Sequence, residues 1–211
     1  MAHFCRQNLA IKTQEEMKVL VDNGHGYETP GKMSLDGRLL EYAYSREIAR
    51  RLVSSLKARG IDAEQIVPEN NDISLKERCR RVNEICEKLG SKNCICVSIH
   101  NNADAGTEWS NASGFSVFVS PNASANSKKL ASIFTDTSKN YCLEGNRAIP
   151  KEKYWTKNLA ICRDTNCPAV LTENLFMTNK SDVDFLLSNI GKKIIAKMHE
   201  EAVIEYIKQV S

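Results

Sequence analysis

Residues 94–103 read CICVSIHNNA. From Cys94 to Ile99 every side chain except Ser98 is apolar, the pattern of a strand buried on both faces and so of the interior of a parallel sheet. The run ends in a histidine. Upstream, Lys18–Asp22 (KVLVD) is a second short apolar run, stopped by Asn23-Gly24 and followed at once by His25. Downstream, Ala169–Thr172 (AVLT) is a third, followed by Glu173. Three buried strands, each closed by a side chain able to do chemistry, frame the rest of the chain.

The segments between them carry helical periodicity. Leu40, Tyr44, Ile48, Leu52 and Leu56 recur every four residues between Asp36 and Arg59, and Gly60 stands where a helix should stop. Ile61–Val67 reads as another strand. Ser74 and Glu77 form a capping-box signature for a helix through Leu89, which Gly90 closes. Gly114–Ser120 alternates as a strand, Ala123–Tyr141 reads as a helix, an irregular stretch runs to Asn158, and Ile190–Val210 reads as a closing helix. Alternating strands and helices predict an α/β fold with a mostly parallel sheet. With 42% hydrophobic residues in 211, one domain can bury its own core, so a single domain over residues 17–211 is expected behind a polar lead of residues 1–16.

Composition excludes several classes of function. A net charge of +3, evenly spread, gives no basic patch for nucleic acid. No run of about 18 apolar residues is present, so no membrane span is expected. The N-terminal residues lack the apolar core and small-residue cleavage site of a signal peptide, and the chain reads as leaderless. No G-x-G-x-x-G follows the first strand, which argues against a dinucleotide-binding domain. The 8 cysteines show no paired metal-knuckle spacing, and a domain of this size needs no disulfide staples. They are expected to be reduced and to pack as small hydrophobes.

Of the 4 histidines, His25 and His100 lie just past the carboxyl ends of buried strands. In open parallel sheets ligand sites form at that edge, so turns distant in sequence converge there. A lone loop histidine is more often structural, but two at matching strand ends form a candidate pair. Gly24 and Gly26 on either side of His25 allow a tight turn and leave the imidazole unobstructed. Glu41 extends the apolar stripe of the first long helix, and a carboxylate facing inward must be paired or bound to a metal. The alternative is a first-turn carboxylate that complements the helix dipole, and the sequence leaves both open. Glu173 is either a fourth group at the same edge or a solvated strand end. Two histidines, a carboxylate and an open water position make a typical catalytic zinc site, and a second carboxylate serves as proton carrier. Glu41 suits the first role and Glu173 the second.

Five segments, VLVDNGHG, LLEYAYSREIARRL, SLKERCRRVNEI, CVSIHNNA and LAICRDTNCPAVLTENLFMTN, occur in an order that resembles the zinc N-acetylmuramoyl-L-alanine amidases of the amidase-3 type, from about Lys18 to Tyr206. That family includes autolysins, sporulation amidases and phage endolysins. The resemblance implies a twisted, mostly parallel six-stranded sheet with helices on both faces. It also implies zinc held by His25, Glu41 and His100, Glu173 as catalytic acid/base, and Arg163 and Asn102 beside the substrate. Peptidoglycan would be the substrate, cut between the lactyl group of N-acetylmuramic acid and L-alanine by a monomeric enzyme. A loop-capping amide is the other reading of Asn102. Without leader or anchor, the chain resembles an endolysin made in the cytoplasm and released by a separate pore, or a wall-remodelling enzyme whose export signal has been removed.

Two departures stand out. Where the family usually has glycine then phenylalanine after the catalytic glutamate, this chain has Asn174, Leu175 and Phe176, and VPEN replaces an arginine often found after the second strand. Trp109 and the pair Tyr154-Trp155 are either groove-lining aromatics or ordinary loop and core residues. Two other functions use the same residues: a zinc peptidase cutting the stem peptide, and a non-catalytic wall-binding module, which should have lost a ligand or the base.

Overall fold

The computed structural model describes residues 17–210. The polar lead, with Cys5 and His3, lies outside the described residues. Six strands, β1 (Lys18–Asn23), β2 (Ala63–Gln65), β3 (Cys94–Asn102), β4 (Ser116–Val119), β5 (Trp155–Thr156) and β6 (Ala169–Phe176), form one sheet in the order β2-β1-β3-β6-β4-β5. The first four in that order are mutually parallel, while β4 runs antiparallel to β6 and β5 parallel to β4. The expected mostly parallel sheet is therefore present.

Six helices cover it: α1 (Glu41–Ala58), α2 (Leu75–Leu89), α3 (Ala125–Lys139), α4 (Ala160–Arg163), α5 (Lys180–Leu187) and α6 (Asn189–Val210). The pleat sends alternate side chains to opposite layers. Val19, Val21, Ile95, Val97, Ile99 and Val170 enter the larger core, shared with α1, α3, α5 and α6. Leu20, Cys94, Cys96, Ala169 and Leu171 enter a smaller core under α2 and α4. Helices thus lie on both faces.

That smaller core is rich in sulfur. Cys79, Cys86, Cys94, Cys96, Cys162 and Cys167 are all buried in it, and none is in a disulfide. The expectation of reduced, space-filling thiols holds there, while Cys142 is exposed.

Local chemistry moves some boundaries from where periodicity puts them. The first helix begins at Glu41 rather than Asp36, because Asp36 closes a turn by accepting from Ser34 Oγ at 2.7 Å and Arg38 N at 3.2 Å. Gly37 then takes a φ of 71°, outside the helical region. Leu40, read as part of the apolar stripe, is 37% exposed, whereas Tyr44, Ile48, Leu52 and Leu56 are buried. Ser74 caps α2 as expected, accepting from Glu77 N at 3.2 Å. β3 and β6 outrun their apolar stretches because the ladder continues through His100↔Glu173 and Asn102↔Phe176. Periodicity missed α4, which has 4 residues, and α5, capped by Asn179 accepting from Asp182 N at 3.1 Å.

His199 on α6 is fully buried. Its Nδ1 lies 2.8 Å from the Ile195 carbonyl, so Nδ1 is the donor and Nε2 accepts from Thr172 Oγ1 at 3.0 Å. This is a neutral imidazole, and burial pulls its pKa down to about 4. The unfolded chain takes up the proton near pH 6.5 and the folded chain only near 4, so stability should fall as pH drops through that window. The full loss is about 3 kcal/mol. Chemical denaturation of the protein and of His199→Leu between pH 7 and 4 checks this. The variant should lose much of the slope, and equal slopes would remove His199 as its source.

Candidate metal centre

Three side chains meet at the carboxyl edge of the sheet. Glu41 is the first residue of α1 and is 1% exposed. One carboxylate oxygen, Oε1, lies 3.0 Å from His100 Nδ1 and accepts from Asn101 N at 3.1 Å. The other, Oε2, lies 3.3 Å from His25 Nε2 and has no hydrogen-bond partner among the described residues. The two imidazoles stand edge to face, 5.0 Å between centroids. One donor atom from each of His25, Glu41 and His100 lies within 4.8 Å of the others. Both glutamate readings therefore apply: Glu41 opens its helix, and its carboxylate faces the histidines.

The electrostatics follow from burial. Burial alone would raise the Glu41 pKa, but the adjacent His100 and His25 imidazoles outweigh it and hold the carboxyl well below its usual range. Burial lowers the pKa of His100, and the Glu41 contact reverses that and raises it. A divalent cation could replace the histidine protons as partner of this carboxylate. The orphaned, buried Oε2 and the two-imidazole, one-carboxylate donor set fit such an ion.

His25 owes its position to strain that the surroundings hold in place. Its φ is 60°, in the left-handed region. Its carbonyl accepts from Arg46 Nη2 at 2.9 Å and Arg78 Nη2 at 3.1 Å. Both guanidiniums are buried. Arg46 also donates to the carbonyls of Gly24, Tyr42, Glu69 and Asn71, and Arg78 pairs with Asp22 at 2.8 Å. The flanking glycines are needed for space rather than for the turn itself. A Cβ on Gly24 would come 2.4 Å from the His100 ring, and one on Gly26 would come 2.0 Å from Asp72 N.

Glu173 sits on the rung beside His100. Its Oε2 is buried with no hydrogen-bond partner among the described residues. Burial raises its pKa to about 7, with His100 opposing the shift and Glu41 adding to it. Just beyond it, Asn174 and Leu175 stand opposite Asn101 alone, a bulge in which Leu175 has a φ of 59°. Leu175 stands where the resemblance expects glycine, and it takes the conformation glycine prefers, with its side chain buried. Asn174 Nδ2 donates to the His100 carbonyl at 2.9 Å, and Asn101 Nδ2 to the Asn174 carbonyl at 2.6 Å. These amides tie the two strand ends together.

A cleft of about 480 Å³ opens beside His25 and His100, with Arg78, Leu75, Leu159 and Ile161 in its wall. Asn102 is the last residue of β3, two past His100. Its Oδ1 accepts from Ala103 N at 2.9 Å, as a loop-capping amide does. Arg163, on α4, is engaged by Asp164 at 2.6 Å and Asn158 at 2.7 Å and borders neighbouring surface grooves. Sequence reasoning missed Arg46, Arg78, Asn101 and Asn174. The two arginines have no marker that separates them from Arg50, Arg51, Arg80 and Arg81 on the same helices.

These features define a class: an α/β domain whose sheet edge gathers two histidines and a carboxylate able to hold a metal ion. A family model described as N-acetylmuramoyl-L-alanine amidase matches residues 19–205, and the chain belongs to that family. The probable cell wall amidase LytH of Staphylococcus aureus is 26% identical over 191 residues, which covers 90% of this chain and 57% of LytH. The chain thus spans little more than half the length of that curated relative. The fold matches the crystal structure of an N-acetylmuramoyl-L-alanine amidase from Clostridium difficile 630, with TM-score 0.78, 24% identity, and 93% of this chain and 98% of that one covered. It also matches the catalytic domain of CwlV from Bacillus (Paenibacillus) polymyxa var. colistinus, with TM-score 0.75, 21% identity, and 91% and 98% covered.

The crowding at Gly24 gives a direct test of the site's geometry. Gly24→Ala should displace the His100 imidazole, weaken zinc retention by about 10- to 100-fold and leave the far side of the sheet folded. Zinc titration followed by metal analysis, with circular dichroism as the folding control, measures this. Undiminished zinc affinity would show that the close approach is not required.

Proposed function

We propose that this chain is a zinc-dependent amidase that hydrolyses the bond between the lactyl group of N-acetylmuramic acid and the L-alanine of the peptidoglycan stem peptide. The observation that carries the reading is the buried His25–Glu41–His100 cluster with Glu173 on the adjoining rung, in a chain belonging to the amidase family. The three ligands and the acid/base expected from the resemblance lie at one sheet edge. A non-catalytic wall-binding module has no use for that full set.

His25, Glu41 and His100 would hold the zinc, which when bound would supply Lewis-acid polarisation of an amide carbonyl and a water acidic near neutral pH. Glu173, with its pKa near 7, accepts a proton from the attacking water and returns it to the leaving nitrogen. The C–N bond breaks, leaving a lactyl carboxylate and a free alanine amine. Arg46 and Arg78 fix the His25 loop, and Asn101 and Asn174 fix the end of β3, so the ligands stay aligned through the cycle. The cleft beside the histidines receives the substrate. Arg163, with its fork closed on Asp164 and Asn158, meets only outlying parts of a long polymer. Asn102 supports the loop rather than the reacting bond. Action at the cell wall follows from this substrate, whether in lysis or in remodelling.

Peptidoglycan digested by the zinc-loaded protein and analysed by mass spectrometry should yield stem peptides with a free L-alanine amine and intact lactyl-bearing glycan. Release of fragments cut within the stem would make it a peptidase instead. Glu173→Ala should lower turnover by about 10²- to 10⁴-fold while zinc stoichiometry stays unchanged. Retained turnover would exclude Glu173 from proton transfer.

A further inference from the structure

Ser116, Glu173 and His100 occupy one rung across three neighbouring strands. Of the residues beside them in the pleat, Val117 and Ile99 enter the larger core, and Thr172 meets His199 of α6 on that same side. Ser116, Glu173 and His100 therefore point to the opposite face, in a row. At the end of that row stands an arginine that sequence reasoning did not single out. Arg147 Nη1 donates to Ser116 Oγ at 3.1 Å. Its guanidinium carbon lies 5.3 Å from the Trp155 ring centroid and 5.5 Å from that of Phe176. Trp155 in turn lies against Phe118, 6.0 Å between centroids.

This arrangement is unlike that of other arginines in the chain. Arg38, Arg78, Arg81 and Arg163 each pair with a carboxylate, and Arg46 is spent on five carbonyls. Arg147 is part-buried, and no carboxylate pairs with it among the described residues. Two aromatic rings lie within cation–π reach of the guanidinium, and Ser116 takes one of its five donors. The other donors of the guanidinium have the planar fork geometry that binds a carboxylate in bidentate fashion. A part-buried cation with no counter-ion among the described residues is available to an incoming anion. Lys32 and Lys157 add positive potential around Glu173.

We infer that Arg147, at the far end of the His100–Glu173–Ser116 row, is an anion-binding group that receives a carboxylate of the stem peptide. The inference rests on the amidase reading and specifies which half of the substrate is recognised. The lactyl carboxyl is consumed in the scissile amide, so the sugar half offers no negative charge. Only the peptide half does. From the His100 rung position to that of Ser116 is two strand spacings, roughly 10 Å. An extended peptide advances about 3.3 Å per residue, which places the recognised carboxylate two to three residues beyond the scissile bond.

Two muramoyl tripeptides separate the outcomes, one with every peptide carboxylate free and one with every carboxylate amidated. The zinc-loaded protein should favour the free form in kcat/KM by about 10- to 100-fold. Arg147→Gln should bring that ratio close to one, mainly by raising KM for the free form, and Arg147→Lys should keep part of the preference. Thermal melting and zinc content establish that both variants are folded. If the variants slow both tripeptides equally, Arg147 is a packing residue and the inference fails. A wild-type ratio of one also overturns it. If the wild type cuts neither tripeptide, the amidase reading falls, and the inference with it.

Discussion

Glu41 is an ionised carboxylate at the inner end of a core helix, and the rest of the site answers to its burial. Such a charge is tolerated only when opposed by positive charge or filled with hydrogen bonds, and removing its partners would cost about 3–5 kcal/mol. His25 comes from the end of β1 and His100 from β3, so the carboxylate links α1 to two strands. The strand order follows as a requirement. Only with β1 and β3 adjacent and parallel do both histidines emerge at one edge, and their ladder runs from Lys18↔Cys94 to Asn23↔Ile99 without a shift.

Positioning the histidines demands departures from regular backbone. His25 is left-handed, and Leu175 on β6 is left-handed beside a bulge. Each such residue costs on the order of 1–3 kcal/mol, and the surrounding bonds must hold it. Two buried guanidiniums grip the His25 carbonyl, while the Asn101–Asn174 pair clamps the bulge. The site is therefore pre-formed by the scaffold.

Much of this architecture was legible in the residues. Apolar runs ending at Asn23, Ile99 and Thr172 marked the three central strands, and those strands brought His25, His100 and Glu173 to one edge as expected. The fourfold repeat from Tyr44 to Leu56 placed Glu41 on the inner face, although Asp36 and Gly37 delayed the helix start. What stayed hidden was set by long-range contacts. Arg46, Arg78 and Arg147 look like surface charges in a chain with 29 basic residues, and their roles depend on partners up to 56 residues away. Short elements such as α4 and β5 lack enough residues to show any period. Trp155, open to a bland reading, proved to be one wall of the Arg147 niche.

The thiol-rich layer beneath α2 and α4 has a consequence for durability. Six side chains there pack well as apolar groups while folded, yet each is a latent nucleophile once exposed. In an oxidising medium a global opening would present them together, and any scrambled cross-link formed in that state would trap the chain short of its native packing. Survival in such surroundings then depends on how often and for how long the chain opens. The small hydrophobes that complete one half of the core also make its loss irreversible.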